Sequence, residues 1–404
     1  MKVLVLNCGS SSLKYQVLDM TNETLLCKGL IERIGMEGSN LAHQKILAGG
    51  KKEKVKVEEP MKDHKEALKY VIDAILNPKT GVLKDIKEIE AVGHRAVHGG
   101  EKFASSVLVT DEVIKMMEDC IELAPLHNPA NITGIKACQE LMPEVPEVVV
   151  FDTAFHQTMP PESYIYPVPY EYYEKYGVRR YGFHGTSHRY VAQECAKMMG
   201  KPIEELNIIT CHLGNGGSLC AVKGGKSFDT SMGFTPLAGL AMGTRSGNLD
   251  PAIVEFIGKK EGKTEAEVNE ILNKKSGILG MSGISSDMRD IKKAAFFDGD
   301  PRAEMTIEVF NHRIKSYIGA YMAEMNGADA IVFTAGVGEN DPITRARTCK
   351  DMDRLGIKLD LQKNIDGKDG LISTDDSKVK VYLIPTNEEL MIARDTKEIV
   401  EKLK

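Results

Sequence analysis

The sequence predicts an α/β protein built from two related domains. Strand-like apolar runs alternate with stretches of helical period along the whole chain, the pattern of layered helix and sheet. At 404 residues the chain exceeds what one ordinary core holds, so two domains are expected. One local device also occurs twice: an apolar strand, a turn of small residues, and a returning strand. Its first copy is residues 2–6, Asn7-Cys-Gly-Ser-Ser-Ser12 and residues 13–19. Its second is residues 207–212, Leu213-Gly-Asn-Gly-Gly217 and residues 218–222.

After the first hairpin, the polar stretch 49–59 reads as an exposed connection. Residues 64–76 carry a helical period that ends near Asn77-Pro78. A strand over 89–97 runs into His98-Gly-Gly100, and a helix over 111–123 is stopped by Pro125. A second block opens at Val148, where residues 148–151 form a strand that delivers Asp152 at its carboxyl end. Thr264-Glu-Ala-Glu267 is a capping box opening a helix with Val268, Ile271 and Leu272 on one face. The strand 330–334 enters Ala335-Gly-Val-Gly-Glu-Asn340, and Pro342 suits the first turn of the next helix. A strand over 381–384 precedes Pro385-Thr-Asn-Glu-Glu389 and a terminal helix. The boundary is placed near residue 150, giving domains of 1–150 plus 387–404 and of 151–386.

Composition narrows the function. The chain is 42% apolar and 27% charged, with no tryptophan, as in soluble globular proteins. Its apolar runs are strand-length, so no membrane span is expected. The first residues lack the apolar region and small-residue cleavage site of a signal peptide, which points to the cytoplasm. Eight cysteines without a Cys-x-x-Cys pair read as buried thiols in a reducing compartment. A net charge of −6 argues against a nucleic-acid partner. It also sets a condition: a site for anionic ligands has to gather arginine and lysine locally.

Several segments meet that condition. The first turn holds Asn7, Ser10, Ser11, Ser12 and Lys14, where small residues let amides approach phosphate and the side chains add donors. A plain hairpin with a solvent-facing lysine is the alternative. His212-Leu-Gly-Asn-Gly-Gly217 repeats the device, and Gly336-Val-Gly-Glu-Asn340 lies between strand and helix, where amides and the helix dipole attract a nucleotide. No dinucleotide fingerprint or Gly-x-x-x-x-Gly-Lys-Ser/Thr loop is present. One such loop says little; three in one chain point to a nucleotide.

Arg95 sits near a strand end in Gly93-His-Arg95, and Arg245 in the glycine loop Met242-Gly-Thr-Arg-Ser-Gly247. Either could be a solvated surface residue, but arginine between glycines suits a bidentate clamp on carboxylate or phosphate. Tyr181-Gly-Phe-His-Gly-Thr-Ser-His188 is read as opening a helix capped by Thr186 or Ser187, with His184 accessible before it and His188 structural. Pro125-Leu-His-Asn-Pro129 holds His127 in a rigid loop. No histidine pair has convincing zinc spacing. In Thr386-Asn-Glu-Glu389, capping-box spacing gives Glu389 a structural task and leaves Glu388 as the freer carboxylate for Mg²⁺.

With these segments assembled, the sequence resembles the acetate kinases of the acetokinase family. The stretches that carry the likeness are Asn7-Cys-Gly-Ser-Ser-Ser-Leu-Lys14, Gly93-His-Arg95, Val97-His-Gly-Gly100, Phe151-Asp-Thr-Ala-Phe-His156, Tyr181 to His188, His212-Leu-Gly-Asn-Gly216, Met242 to Gly247, Phe333-Thr-Ala-Gly-Val-Gly-Glu-Asn340 and Pro385 to Glu389. They run in family order over nearly the whole chain. The resemblance implies an actin-like ATPase (ribonuclease H-like) fold: two related domains, a nucleotide cleft between them, and usually a homodimer. It implies reversible transfer of the γ-phosphoryl group of MgATP to acetate, giving ADP and acetyl phosphate, with no nucleic acid or membrane involved. On matching positions it implies that Asn7 and Glu388 organise Mg²⁺, with Mn²⁺ as a substitute. ATP would be held by Ser12, Lys14, His212, Leu213, Gly214, Asn215, Gly216, Asp287, Met288, Arg289, Gly336, Val337, Gly338, Glu339 and Asn340. Arg95 would grip acetate, and Arg245 and His184 would stabilise the transferring phosphoryl. Val97, Leu126, Phe183 and Pro236 would form the methyl pocket, with His127 nearby. Acetate arrives ionised and needs no general base, so Asp152 reads as an orienter of arginine, Mg²⁺ or water.

Three rival readings remain at this stage. A propionate or butyrate kinase would share the scaffold, and Val97 bears on that choice. A non-catalytic actin-like switch would need no anion-plus-methyl pocket. A sugar kinase would want a ring of polar donors and a true base, which the sequence does not offer.

Overall fold

The computed structural model describes residues 1–403, and Lys404 lies outside them. The chain divides into two compact units, Met1–Gln157 with Asn387–Lys404, and Thr158–Thr386. The first contains strands β1 (Lys2–Cys8), β2 (Ser12–Asp19), β3 (Thr24–Glu32), β4 (Asn40–Ile46), β5 (Lys52–Glu58), β6 (Ala91–Ala96), β7 (Val107–Leu108) and β8 (Glu147–Phe151). They form one sheet in the order β5-β4-β3-β2-β1-β6-β8-β7. The second contains β9 (Asn207–Leu213), β10 (Gly217–Lys223), β11 (Lys226–Thr230), β12 (Ala330–Thr334), β13 (Gly370–Leu371) and β14 (Lys380–Leu383), ordered β11-β10-β9-β12-β14-β13.

The repeated hairpin belongs to a larger repeat. β3-β2-β1 is antiparallel, and β6 and β8 then add in parallel to β1. β11-β10-β9 is antiparallel, and β12 and β14 add in parallel to β9 in the same way. The central strands have to be covered on both faces, and their sequences show it. β8 and β12 are buried at every position, as Glu-Val-Val-Val-Phe and Ala-Ile-Val-Phe-Thr.

Pleat alternation decides which helix covers which face. On β6, Val92 joins the core with Ala137 and Cys138 of the helix Asn128–Leu141, while Gly93 faces Ile392 and Thr396 of the helix Glu388–Glu401. In the second unit the long helix Pro301–Glu324 buries Ile307, Phe310, Ile314, Ile318 and Tyr321, a spacing of three and four, against the sheet core.

Several elements differ from the sequence reading. Much of the stretch 49–59 is the edge strand β5, paired antiparallel with β4. Its Lys-Glu-Lys-Val-Lys-Val-Glu sequence hid a strand because an edge favours charge over apolar alternation. The helix at 111–123 stops at Asp119 and continues as a separate short turn, Ile121–Leu123. The helix Gly185–Met199 starts at His184, whose φ is +57°, without a side-chain cap from Thr186 or Ser187. The terminal helix is capped by Asn387, whose side chain accepts from the Leu390 amide, so Glu389 is not a capping-box partner. The Thr264–Glu267 box is present as read. All eight cysteines are buried and free, and no helix among the described residues is long and apolar enough to cross a membrane.

A Cβ on Gly93 would lie 2.5 Å from Thr396 Oγ1 and 2.7 Å from Ile392 Cγ2. Gly93→Ala is therefore expected to push the helix Glu388–Glu401 off β6. Its cost should be roughly 1–3 kcal/mol by urea unfolding, and an unchanged midpoint would contradict this packing.

Candidate functional site

Two groups of polar residues stand at strand ends, one in each unit. In the first, the parallel register of β6 and β8 sets Arg95 beside the end of β8, and the Asp152 amide donates to the Ala96 carbonyl at 3.0 Å. Arg95 then meets Asp152 side-on. Its Nε donates to Oδ1 at 3.0 Å and its Nη2 to Oδ2, while Nη1 donates to Asn7 Oδ1 at 3.3 Å. Glu388, at the start of the terminal helix, places a carboxylate oxygen 3.9 Å from the Arg95 Nε.

Opposed charges in this group lie close together. Burial opposes the Arg95 charge, but Asp152, Glu388 and Glu389 hold the guanidinium firmly protonated. Burial pushes Asp152 upward against the pull of Arg95. Burial, with help from Asp152 and Glu389, pushes Glu388 up to about 7 against the pull of Arg95 and Lys14. Asn7, Asp152 and Glu388 thus present hard oxygen donors with more negative charge than one guanidinium neutralises. That donor set and charge excess fit Mg²⁺.

The other first-unit candidates are scattered around this group. Val97 is buried and its amide donates to Asn131 Oδ1. Leu126 is 75% exposed, and His127 is exposed at the start of the helix Asn128–Leu141. The turn between β1 and β2 is closed by the Gly9 amide donating to the Ser12 carbonyl. Lys14 is exposed and lines a cavity of about 310 Å³ with Lys28, Gln44 and Glu389.

In the second unit, a cavity of about 440 Å³ is lined by Gly214 and Asn215 of the β9–β10 turn, Asp287, Met288 and Arg289, and Gly336, Val337 and Asn340. Gly243, Ile278, Ser286, Lys292 and Asp341 complete the lining. Asp287 caps the helix Met288–Phe296, and its hydrogen bond from the Arg289 side chain brings it down to about 2. Leu213 and Gly338 are buried behind the loop and do not line the cavity. Glu339 does not line it either. Its carboxylate accepts from the Ala335 amide at 2.8 Å and the Thr386 amide at 3.1 Å, a local bracing role.

Beside the β9–β10 turn, Arg245 and His184 flank Gly216. Arg245 is half-buried, donates to the Pro236 carbonyl at 3.2 Å and touches Met242 Sδ. Among the described residues it makes no ion pair, and burial depresses its pKa. His184 stacks on His212 with ring centroids 4.1 Å apart and pairs through Nδ1 with Ser218 Oγ at 2.9 Å. Phe183 is buried and Pro236 half-buried in this same unit.

Known proteins match the chain over nearly all of its length. The family model described as the acetokinase family matches residues 2–394. The chain belongs to the acetokinase family. It is 63% identical over 405 residues to an acetate kinase from Thermoanaerobacter pseudethanolicus, covering 100% of both chains. Among solved structures, it superposes on an acetate kinase from Porphyromonas gingivalis with a TM-score of 0.94, at 49% identity and 99% coverage of each chain. A propionate kinase from Francisella tularensis gives a TM-score of 0.90 at 42% identity, covering 98% of this chain and 99% of the other.

Some residues of this acetokinase-family site were not foreseen from the sequence. Lys292, paired with Asp341 at 2.6 Å, lies on a helix whose sequence reads only as amphipathic. Arg345 is fully buried and donates to the carbonyls of Gly338, Glu339 and Asn364 and to Asn364 Oδ1. No local pattern distinguishes it from a surface arginine. It holds the short helix Ala335–Asn340, and with it one wall of the cavity. Arg345→Ala would leave several buried carbonyls unpaired and is expected to lower stability by about 3 kcal/mol or more. Calorimetry or urea unfolding measures this, and a loss under about 1 kcal/mol would remove that bracing role.

Proposed function

We propose that this chain is an acetate kinase that transfers the γ-phosphoryl group of ATP reversibly to acetate, forming acetyl phosphate and ADP. Arg245 is the observation that carries the reading furthest. A half-buried cation without a counter-ion among the described residues, set beside a glycine turn and a nucleotide-sized cavity, is built to receive an anion. The higher identity to a named acetate kinase than to a named propionate kinase favours acetate as the acid. In this reading the enzyme is a cytoplasmic homodimer, and the unit Thr158–Thr386 carries most of the nucleotide site.

The geometry supports a set of residue roles. Asp152 occupies the Nε and Nη2 side of Arg95, so the Nη1–Nη2 edge is turned to grip acetate. Glycine amides at Gly216 and Gly336, with Gly214, Ser12, Lys14, His212, Asn215 and Asn340, hold the phosphates, and Asp287, Met288 and Arg289 hold the nucleoside. Arg245 and His184 bear on the equatorial oxygens of the transferring group, where a loose transition state spreads its charge. Asn7 and Glu388, with Asp152 behind them, would hold Mg²⁺ or Mn²⁺, which neutralises phosphate charge when bound. In the same reading Val97, Leu126, His127, Phe183 and Pro236 are the residues that bind acetate.

Incubation with ATP, Mg²⁺ and single carboxylic acids, with hydroxylamine as trap, should yield acyl hydroxamate best with acetate. No hydroxamate from any acid would defeat the reading. Arg95→Ala should raise KM for acetate and lower kcat together, and an unchanged acetate KM would remove Arg95 from the acid site. Asp152→Asn should lower kcat roughly 10²-fold by loosening the Arg95 geometry. Near-normal turnover would exclude that role. Val97→Ala should improve propionate relative to acetate by about 1–3 kcal/mol in kcat/KM, and no gain would refute the pocket.

A further inference from the structure

The ladder between β1 and β6 stops before either strand does. Parallel pairing runs from Val3 and Ala91 to Leu6 and His94, while β1 continues to Cys8 and β6 stays paired with β8 through Ala96. Beyond His94 the two strands part. Their ends carry Asn7 on one side and Arg95, followed by Val97, on the other. Cys8 and Val97 are buried there, so their backbone groups still need partners.

One side chain supplies both. Asn131, buried on the helix Asn128–Leu141, accepts from the Val97 amide through Oδ1 at 3.2 Å and donates from Nδ2 to the Cys8 carbonyl at 2.8 Å. An N–H only donates and a carbonyl only accepts, so both ends of the side-chain amide are specified. It stands in for the peptide that a longer ladder would have supplied. Its short reach suffices because the helix comes close: a Cβ on Gly134, one turn on, would lie 2.4 Å from Cys8 Sγ. Asn128, one turn back, holds the next peptide, donating to the His98 carbonyl at 3.0 Å and accepting from the His98 amide at 3.3 Å.

We infer that Asn131 is a positioning residue for the acid site: by bridging Cys8 and Val97 it sets the spacing of the strand ends that present Asn7 and Val97. This rests on the proposed roles of Asn7 and Val97. Open α/β sheets hold their ligands in the crevice at the carboxyl ends of parallel strands. Here the gap between two such ends is spanned by an amide of fixed length. An apolar side chain of similar size would fill the space but leave two buried polar groups unpaired. Asn131 itself acts only through its two neighbours. Without the bridge the Val97 segment is free to shift, and a pocket that gives way at Val97 admits a longer acid.

Two measurements test this on the full chain. In Asn131→Ala, the ratio of kcat/KM for propionate to that for acetate should rise at least about threefold, part of the roughly 10–200-fold that one methylene is worth in a fitted pocket. Both acids are assayed on one preparation, so a variant that is merely destabilised, with fewer active molecules, leaves the ratio unchanged. Asn131→Asp accepts from the Val97 amide in either protonation state and should keep the ratio within about twofold of wild type. A ratio unchanged in the alanine variant, or raised equally in the aspartate variant, overturns the inference. If the alanine variant does not fold, Asn131→Ser carries the same test, because its one oxygen lies a bond short of both groups. Hydrogen–deuterium exchange of the same variant, read by mass spectrometry, should quicken severalfold over residues 8–12 and 97–100 and stay as in wild type over 2–6 and 91–94. Exchange that quickens evenly along both strands, or not at all, also overturns it. Exchange needs no turnover, so it decides the bridge even if hydroxylamine traps no acyl phosphate and the proposed function fails.

Discussion

An acidic chain that handles anions has to hold arginine where water is scarce, and the pairing of Arg95 with Asp152 is how the first unit keeps one there. A guanidinium taken out of water alone would cost several kcal/mol. Two adjacent parallel strands avoid that cost by ending side by side. β6 supplies Arg95 and β8 runs straight into Asp152, and a two-point ion pair fixes the plane of the guanidinium. Everything nearby is arranged around that plane. Asn7 near the end of β1 accepts a hydrogen bond from Nη1, and Glu388 at the head of the terminal helix brings a second carboxylate. The second unit solves the same problem the other way. Arg245 is tied to a backbone carbonyl rather than to a carboxylate, so its charge stays unspent. One arginine is held for geometry and the other for charge.

The sequence disclosed the parts of this design that are written locally. Hairpins with small-residue turns, the capping box at Thr264, and the strands ending at Arg95 and Asp152 each occupy a few consecutive residues whose types state their conformation. The matching order of the two sheets was foreshadowed by the repeated hairpin, but pairing of β1 with β6, or β9 with β12, joins residues far apart and leaves no local mark. Strand β5 stayed hidden because its lysines and glutamates, suited to a sheet edge, imitate a loop. Glu339 misled for a related reason. Its place in a glycine-rich loop suggests a ligand contact, while its partners are the Ala335 amide and the remote Thr386 amide. Arg345 was illegible because only tertiary structure tells a buried arginine from an exposed one.

Two strained residues show how tertiary contacts fix the backbone in the second unit. His184 and Ala335 both have positive φ, +57° and +64°, and both stand at the start of a helix just after a buried segment. A non-glycine residue in that region costs about 1–2 kcal/mol, and the conformation persists only where surroundings over-determine it. In each case one side chain does so. Ser218 anchors the His184 ring, and Glu339 anchors the Ala335 amide. Glycine at 184 would remove the strain but also the ring that Ser218 holds, whereas glycine at 335 would keep the amide that Glu339 holds. A histidine at the first position is therefore not there for backbone reasons, since almost any choice but glycine is unfavourable. It is there for its imidazole, which stacks on His212 and pairs with Ser218.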